Sequence, residues 1–291
     1  MSKTGVMICG HGSRDEEAVA EFQSLARGMR ERLPQYDVES GFLEFAKPTI
    51  QEGLEKLVKR GVTEILAVPA MLFAAGHVKN DIPWELNSFA ASHPNVSLSC
   101  GRDLSIEPKL LMAARDRIAT AMGATGDGVA VADTLLMVVG RGTNDPDANS
   151  NISKVSRMLW EGMDLGWAEA CYSGVAYPRV NAGLERVAAM SFRRIIVFPY
   201  FLFTGVLVKR IYAQMAEVAS SHPDTEFVAA SYLNDHPRVL DTLAERVTGI
   251  AEGDNAMNCL LCKYREQVVG FEDAQGQPQA GHHHHVRGIG T

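Results

Sequence analysis

The chain has 291 residues, 46% of them apolar and 22% charged, and a net charge of −7. That size and balance suit a globular protein with room for two modest domains. The acidic surplus excludes general nucleic-acid or membrane-surface binding, which draws on excess Lys and Arg.

The first apolar run, Val6 to Cys9, reads as a strand and ends in Gly10-His11-Gly12-Ser13-Arg14-Asp15, after which Glu16 to Leu33 has helical spacing. Val38 to Leu43, Ile65 to Val68 and Val96 to Leu98 are further strand-like runs, with a second helical stretch from Ile50 to Lys59. Strands apolar on both faces and alternating with helices predict a parallel sheet covered on both sides, with right-handed crossovers. His11 then follows the first strand, Glu44 the second, and His77 lies in the loop and helix start after the third. Ligands in such sheets bind beyond the carboxyl ends of the strands, so these three side chains are expected in one crevice.

Met122 to Gly128 is a glycine-rich break, and from Leu135 the same order recurs. Gly140-Arg141-Gly142-Thr143-Asn144-Asp145 repeats the first motif 130 positions on, counted from His11 to Arg141. At the same offset Pro48 matches Pro178, Gly53-Leu54-Glu55 matches Gly183-Leu184-Glu185, and Pro69 to Phe73 matches Pro199 to Phe203. Repetition at one spacing predicts a duplicated unit. The expected division is 1–122 as the half carrying the site, 134–250 as a scaffold copy, and 251–291 as a tail. His11 aligns with Arg141, Glu44 with Gly174 and His77 with Leu207, so the framework repeats while the three candidate ligands do not.

The run Ile195 to Val208 is broken by Pro199 and Gly205 and is too short for a membrane helix, so it reads as a buried strand and the loop after it. His93-Pro94, His222-Pro223 and His236-Pro237 are assigned to turns. Five cysteines without framework spacing read as reduced thiols, and no leader-like segment opens the chain, so the expected location is the cytoplasm. Cys9, Cys100 and Cys171 are expected in the core. Beyond about Ile250 no apolar period remains, and an extended or disordered tail is expected. Within it Cys259 and Cys262 suit a redox dithiol, half a zinc site or half an iron–sulfur site. His282, His283, His284 and His285 read as a metal-collecting tract, with an expression remnant as the alternative.

Two imidazoles and a carboxylate at matched strand ends make an open site for a divalent first-row ion such as cobalt, nickel, iron or zinc. Gly10-His11-Gly12 lacks the third glycine and the ribose acid of a dinucleotide loop, and no phosphate-binding loop appears.

Gly10-His11-Gly12-Ser13-Arg14, Phe42-Leu43-Glu44 and Pro69 to Val78 together resemble the class II tetrapyrrole chelatases, and among them the long sirohydrochlorin cobaltochelatases, over essentially the whole chain. That resemblance implies an α/β fold of two similar chelatase-like domains, each a parallel sheet flanked by helices and related by internal duplication. It implies insertion of Co²⁺, as the substrate metal, into sirohydrochlorin without a nucleotide, on the anaerobic, early-cobalt route to cobalamin. His11 and His77 then match the metal-binding catalytic histidines and Glu44 the acidic residue. Arg14, Lys79 and Arg141, with Lys47, Arg179 and Lys209 nearby, are the cations expected to meet the substrate's carboxylates. Met257-Asn258-Cys259-Leu260-Leu261-Cys262 resembles the segment associated with an iron–sulfur cluster in the long forms. Two cysteines cannot fill four cluster positions, so either a second chain or other ligands complete it, and monomer and homodimer both stay open. Iron insertion for sirohaem is the alternative reaction. A metal storage or delivery protein is the alternative of another class, and tetrapyrrole binding separates it from the enzyme.

Overall fold

The computed structural model describes residues 3–126 and 128–277. Eight strands and eight α-helices alternate through it. The first four strands, β1 (Thr4–Gly10), β2 (Asp37–Phe42), β3 (Glu64–Pro69) and β4 (Ser97–Cys100), form a parallel sheet in the order β2-β1-β3-β4. Helices α1 (Glu16–Arg32), α2 (Ile50–Lys59) and α3 (Ile82–Ser92) connect them. After α4 (Pro108–Ala124) the pattern repeats. β5 (Thr134–Gly140), β6 (Trp167–Tyr172), β7 (Arg194–Pro199) and β8 (Glu226–Ala229) form a second parallel sheet, β6-β5-β7-β8. Its helices are α5 (Pro146–Gly162), α6 (Val180–Ala188) and α7 (Val206–Ser221), and α8 (Pro237–Glu252) closes the repeat. The duplicated parallel α/β architecture expected from the sequence is therefore present.

The central strands are apolar on both faces because both faces are covered. Val6, Met7, Ile8 and Cys9 are fully buried, and Met7 and Cys9 pack with Leu54 and Leu57 of α2 and Leu86 and Phe89 of α3. Local signals set where each helix begins. The Asp15 carboxylate accepts the Glu17 N–H to start α1, and Thr49 and Glu52 form a reciprocal capping box at α2. Both helices thus start directly after a strand-end loop, which holds the loop short.

The compact units are not bounded as the sequence repeats are. One comprises the residues up to Ser105 together with those from Leu240 on, and the other runs from Ile106 to Val239. The last helix of each repeat is therefore grouped with the other repeat's sheet. Each does the same job there. Arg246 of α8 donates to the Leu104 carbonyl beyond β4, and Arg117 of α4 donates to the Leu233 carbonyl beyond β8. Among the described residues no helix is long and apolar enough to cross a membrane.

The described part of the tail departs from the expected extended or disordered chain. Cys259–Leu261 and Glu272–Ala274 form single 3₁₀ turns, and Cys262 and Lys263 are buried. The Lys263 ammonium lies 4.9 Å from the Phe271 ring centre and 5.4 Å from that of Tyr264. Such cation–π contacts leave no apolar period in the sequence, which is why periodicity missed them.

Candidate metal centre

In the first unit the strand order places β1 between β2 and β3, and successive crossovers leave it in opposite directions. The crevice beyond the β1 and β3 ends is thereby opened. His11 follows β1, Glu44 follows β2, and His77 opens a π-helical turn, His77–Asp81, that leads into α3.

Backbone hydrogen bonds carry the sheet ladder past the strand ends. The Leu43 N–H donates to the Gly10 carbonyl at 2.8 Å, and the Glu44 N–H to the His11 carbonyl at 3.0 Å. Gly12 makes this approach possible: its φ is +97°, and a Cβ there would collide with the Glu44 carbonyl. On the other side the Ala70 N–H donates to the Cys9 carbonyl, and the loop toward His77 is tied by the Ala74 N–H to the buried Asp103 carboxylate at 3.1 Å. Burial pushes the Asp103 carboxyl up to about 6, against the opposing pull of the Ala74 N–H and Arg246.

Three side chains converge. Nε2 of His11 lies 3.1 Å from Nε2 of His77 and 3.2 Å from Glu44 Oε1, and the three ligand atoms all lie within 4.8 Å of one another. Glu44 is only 5% exposed. The partners of the opposite ring nitrogens decide the protonation. Nδ1 of His11 is 2.8 Å from the Gly12 carbonyl, which can only accept, and Nδ1 of His77 is 2.7 Å from Asp81 Oδ2. Both Nδ1 atoms are thus placed to donate, which leaves each Nε2 able to offer a lone pair to a cation. Three acceptors at these distances are satisfied together only by a shared cation, a proton or a metal ion.

The expected ligands His11, Glu44 and His77 are thus brought together, and among the described residues they are the one group of three or more metal-ligating side chains so arranged. Asp81, which sequence reasoning missed, orients His77. It is 2% exposed, and its other oxygen accepts from the Asn80 amide. A carboxylate behind a ligating imidazole fixes its tautomer and raises its basicity. The signal for it was in the repeat: at the common offset Asp81 matches Ile211, a fully buried core residue.

The other expected site residues differ in exposure and in partners. The Arg14 guanidinium lies 4.8 Å from the Phe45 ring centre, and both line a cavity of about 290 Å³ with Ser13, Glu16, Val19 and Ala46. The Phe45 ring is 6.2 Å from that of His11. Lys79 sits half-buried on the π turn. Arg141, in the second unit, is exposed and donates to the Gly142 carbonyl at 3.1 Å. Cys259 and Cys262 are free thiols at the two ends of one turn. His282, His283, His284 and His285 lie outside the described residues. Cys9 and Cys171 are buried and Cys100 half-buried, with burial pushing the last two up to about 12 and about 11 respectively.

The chain is similar to known proteins over most of its length. The family model described as CbiX matches residues 5–121 and again 135–250. A sirohydrochlorin cobaltochelatase of Priestia megaterium is 34% identical over 271 residues, covering 92% of this chain and 87% of the relative. A sirohydrochlorin ferrochelatase of Bacillus subtilis is 29% identical, covering 84% of this chain and 91% of the relative. The solved structure of SirB from Bacillus subtilis with Fe³⁺ superposes with a TM-score of 0.77 at 27% identity, over 88% of this chain and 100% of that one.

Proposed function

This chain belongs to the CbiX family, in two copies of its domain, and from that footing we propose that it is a metal chelatase inserting Co²⁺ into sirohydrochlorin. The observation that carries the reading is the convergence of two Nε2 lone pairs and a buried carboxylate on one point, with both tautomers set from behind.

Insertion exchanges one divalent ion for two pyrrole N–H protons. His11 and His77 hold the incoming ion through Nε2, and Glu44 supplements the ligands or takes a proton. As the ion passes to the ring nitrogens, the lone pairs it leaves behind accept the two protons, so charge and protons balance without a nucleotide. Imidazole suits both roles because its proton affinity lies near neutral pH. Arg14, Lys79 and Arg141 supply charge-assisted hydrogen bonds to substrate carboxylates. The Arg14–Phe45 pair beside His11 supports the first of these, joining a cation to an aromatic face.

Cobalt is preferred over iron on the likeness to the Priestia megaterium relative, since imidazole and carboxylate serve either ion. Cytoplasmic location is part of the same reading. Cys259 and Cys262 offer two of the four positions an iron–sulfur cluster needs, and among the described residues no third ligating group joins them. The described residues do not complete a cluster. A homodimer sharing such a cluster would show iron and sulfide bound only in a two-chain species. The tract His282–His285 is assigned a metal-collecting role, and its deletion should lower activity at limiting cobalt.

The test is anaerobic absorption spectroscopy of sirohydrochlorin with Co²⁺ or Fe²⁺. Cobalt insertion well above the protein-free rate, lost in His11→Ala and His77→Ala, is the expected result. Faster iron insertion moves the reaction to sirohaem synthesis. Metal binding with no acceleration leaves a metal-delivery protein.

A further inference from the structure

The second unit keeps the strand-end framework of the first and reverses its charge. The Gly174 N–H donates to the Arg141 carbonyl at 2.9 Å, as the Glu44 N–H does to His11 at 3.0 Å. On that shared backbone the carboxylate is absent, Gly174 standing where Glu44 would be, and Arg141 replaces the imidazole. A second guanidinium approaches the vacated place: Arg179 Nη1 lies 3.8 Å from where a Cβ on Gly174 would be.

Arg179 occupies the position of Thr49, the N-cap of α2 with its reciprocal capping box. As N-cap of α6 it makes no side-chain cap at all. Arginine is a poor choice there, since N-caps favour short side chains with an oxygen acceptor. Its side chain instead stacks on Tyr177, with Cζ 4.6 Å from the ring centre. Tyr177 is 75% exposed, and Val175 and Val206 beside the same strand ends are 55% and 66% exposed. Three exposed apolar side chains in the loops at the end of the sheet where ligands bind, one of them stacked against a guanidinium, are unusual for a mere scaffold.

We propose that this face of the second unit is an anion site for a flat polycarboxylate tetrapyrrole. Arg141 and Arg179 take ring carboxylates, and Tyr177, Val175 and Val206 meet the macrocycle plane. Guanidinium is suited to planar, two-point carboxylate recognition and to stacking, so one Arg179 serves both contacts. The duplicated site has thus exchanged a cation function for an anion function. The ligand class rests on the chelatase reading above, whereas the site's charge and shape do not.

The experiment is a metal-free titration of the full chain with uroporphyrin, an octacarboxylate porphyrin, followed by fluorescence quenching. Arg179→Thr restores the residue of the first copy, so its melting temperature should hold or rise. Its affinity should nevertheless fall about tenfold, the worth of one charge-assisted hydrogen bond. Tyr177→Ala should weaken binding as well, and coproporphyrin, with fewer carboxylates, should bind less tightly and lose less in Arg179→Thr. Affinity within about threefold of the parent in both variants would overturn the proposal. Because no metal is present, the two readings fail separately. Arg179-dependent binding without insertion activity removes the chelatase and leaves the anion site, and normal insertion with unchanged binding removes the anion site alone.

Discussion

Replacing Asp81 by Asn changes one buried atom and should disable His77. In the parent, Asp81 Oδ2 accepts the Nδ1 hydrogen of His77 at 2.7 Å while Oδ1 accepts from Asn80 at 3.1 Å. In Asp81→Asn the carbonyl oxygen is held by the Asn80 amide, which leaves the new NH₂ facing Nδ1. Nδ1 must then accept, and the ring proton moves to Nε2, the atom that faces His11 and Glu44. A protonated Nε2 has no lone pair for a metal ion. Loss of such supporting partners lowers metal affinity or activity roughly 10- to 100-fold, equivalent to about 1.4 to 2.7 kcal/mol. The assay is Co²⁺ titration by visible absorption together with the initial rate of insertion, with thermal unfolding as the control on folding. Unchanged cobalt affinity and rate in a folded Asp81→Asn protein would refute the tautomer argument.

Gly12→Ala forces a side chain into a left-handed backbone and against the Glu44 carbonyl. It should destabilise by at least about 2 kcal/mol and pull the β1 and β2 loops apart, visible as a lower denaturation midpoint and weaker cobalt binding. Asp103 has a pKa raised from 3.8 to about 6 by burial. Its contribution to stability is therefore fully present below about pH 4 and is lost as pH rises through 6. Against Asp103→Asn, the parent should lose about 2 to 3 kcal/mol between pH 4 and pH 7 in urea titrations, and parallel pH profiles would contradict this. Half-exposed Cys259 should react with a maleimide well before Cys9, Cys100 and Cys171, whose thiols burial holds above the ordinary range. Peptide mapping of a brief labelling reads the order directly.

Much of the fold was legible because a parallel sheet leaves a plain trace. Val6 to Cys9 and Ile195 to Phe198 are apolar throughout since both faces are covered, and the glycines flanking His11 recur around Arg141. The three candidate ligands were legible through their absence from the second copy. What stayed hidden depends on contacts that have no sequence period. Asp81 lies four residues from its partner, a spacing shared by many surface pairs, and only its burial and its match to Ile211 set it apart. The grouping of α4 with the second sheet and α8 with the first left no compositional mark, because the glycine-rich break follows α4 without deciding which sheet it covers. Arg179 reads as one surface cation among several until its place as an uncapped N-cap stacked on Tyr177 is seen.

The central claim is that the first unit's strand ends hold the incoming metal ion and the second unit's do not. Anomalous diffraction from crystals soaked anaerobically in Co²⁺ tests it most directly. The account predicts a cobalt peak at bonding distance from Nε2 of both His11 and His77, with Glu44 beside it and no peak near Arg141 and Leu207. Cobalt bound elsewhere, with the His11–His77 pair vacant at saturating metal, would contradict it.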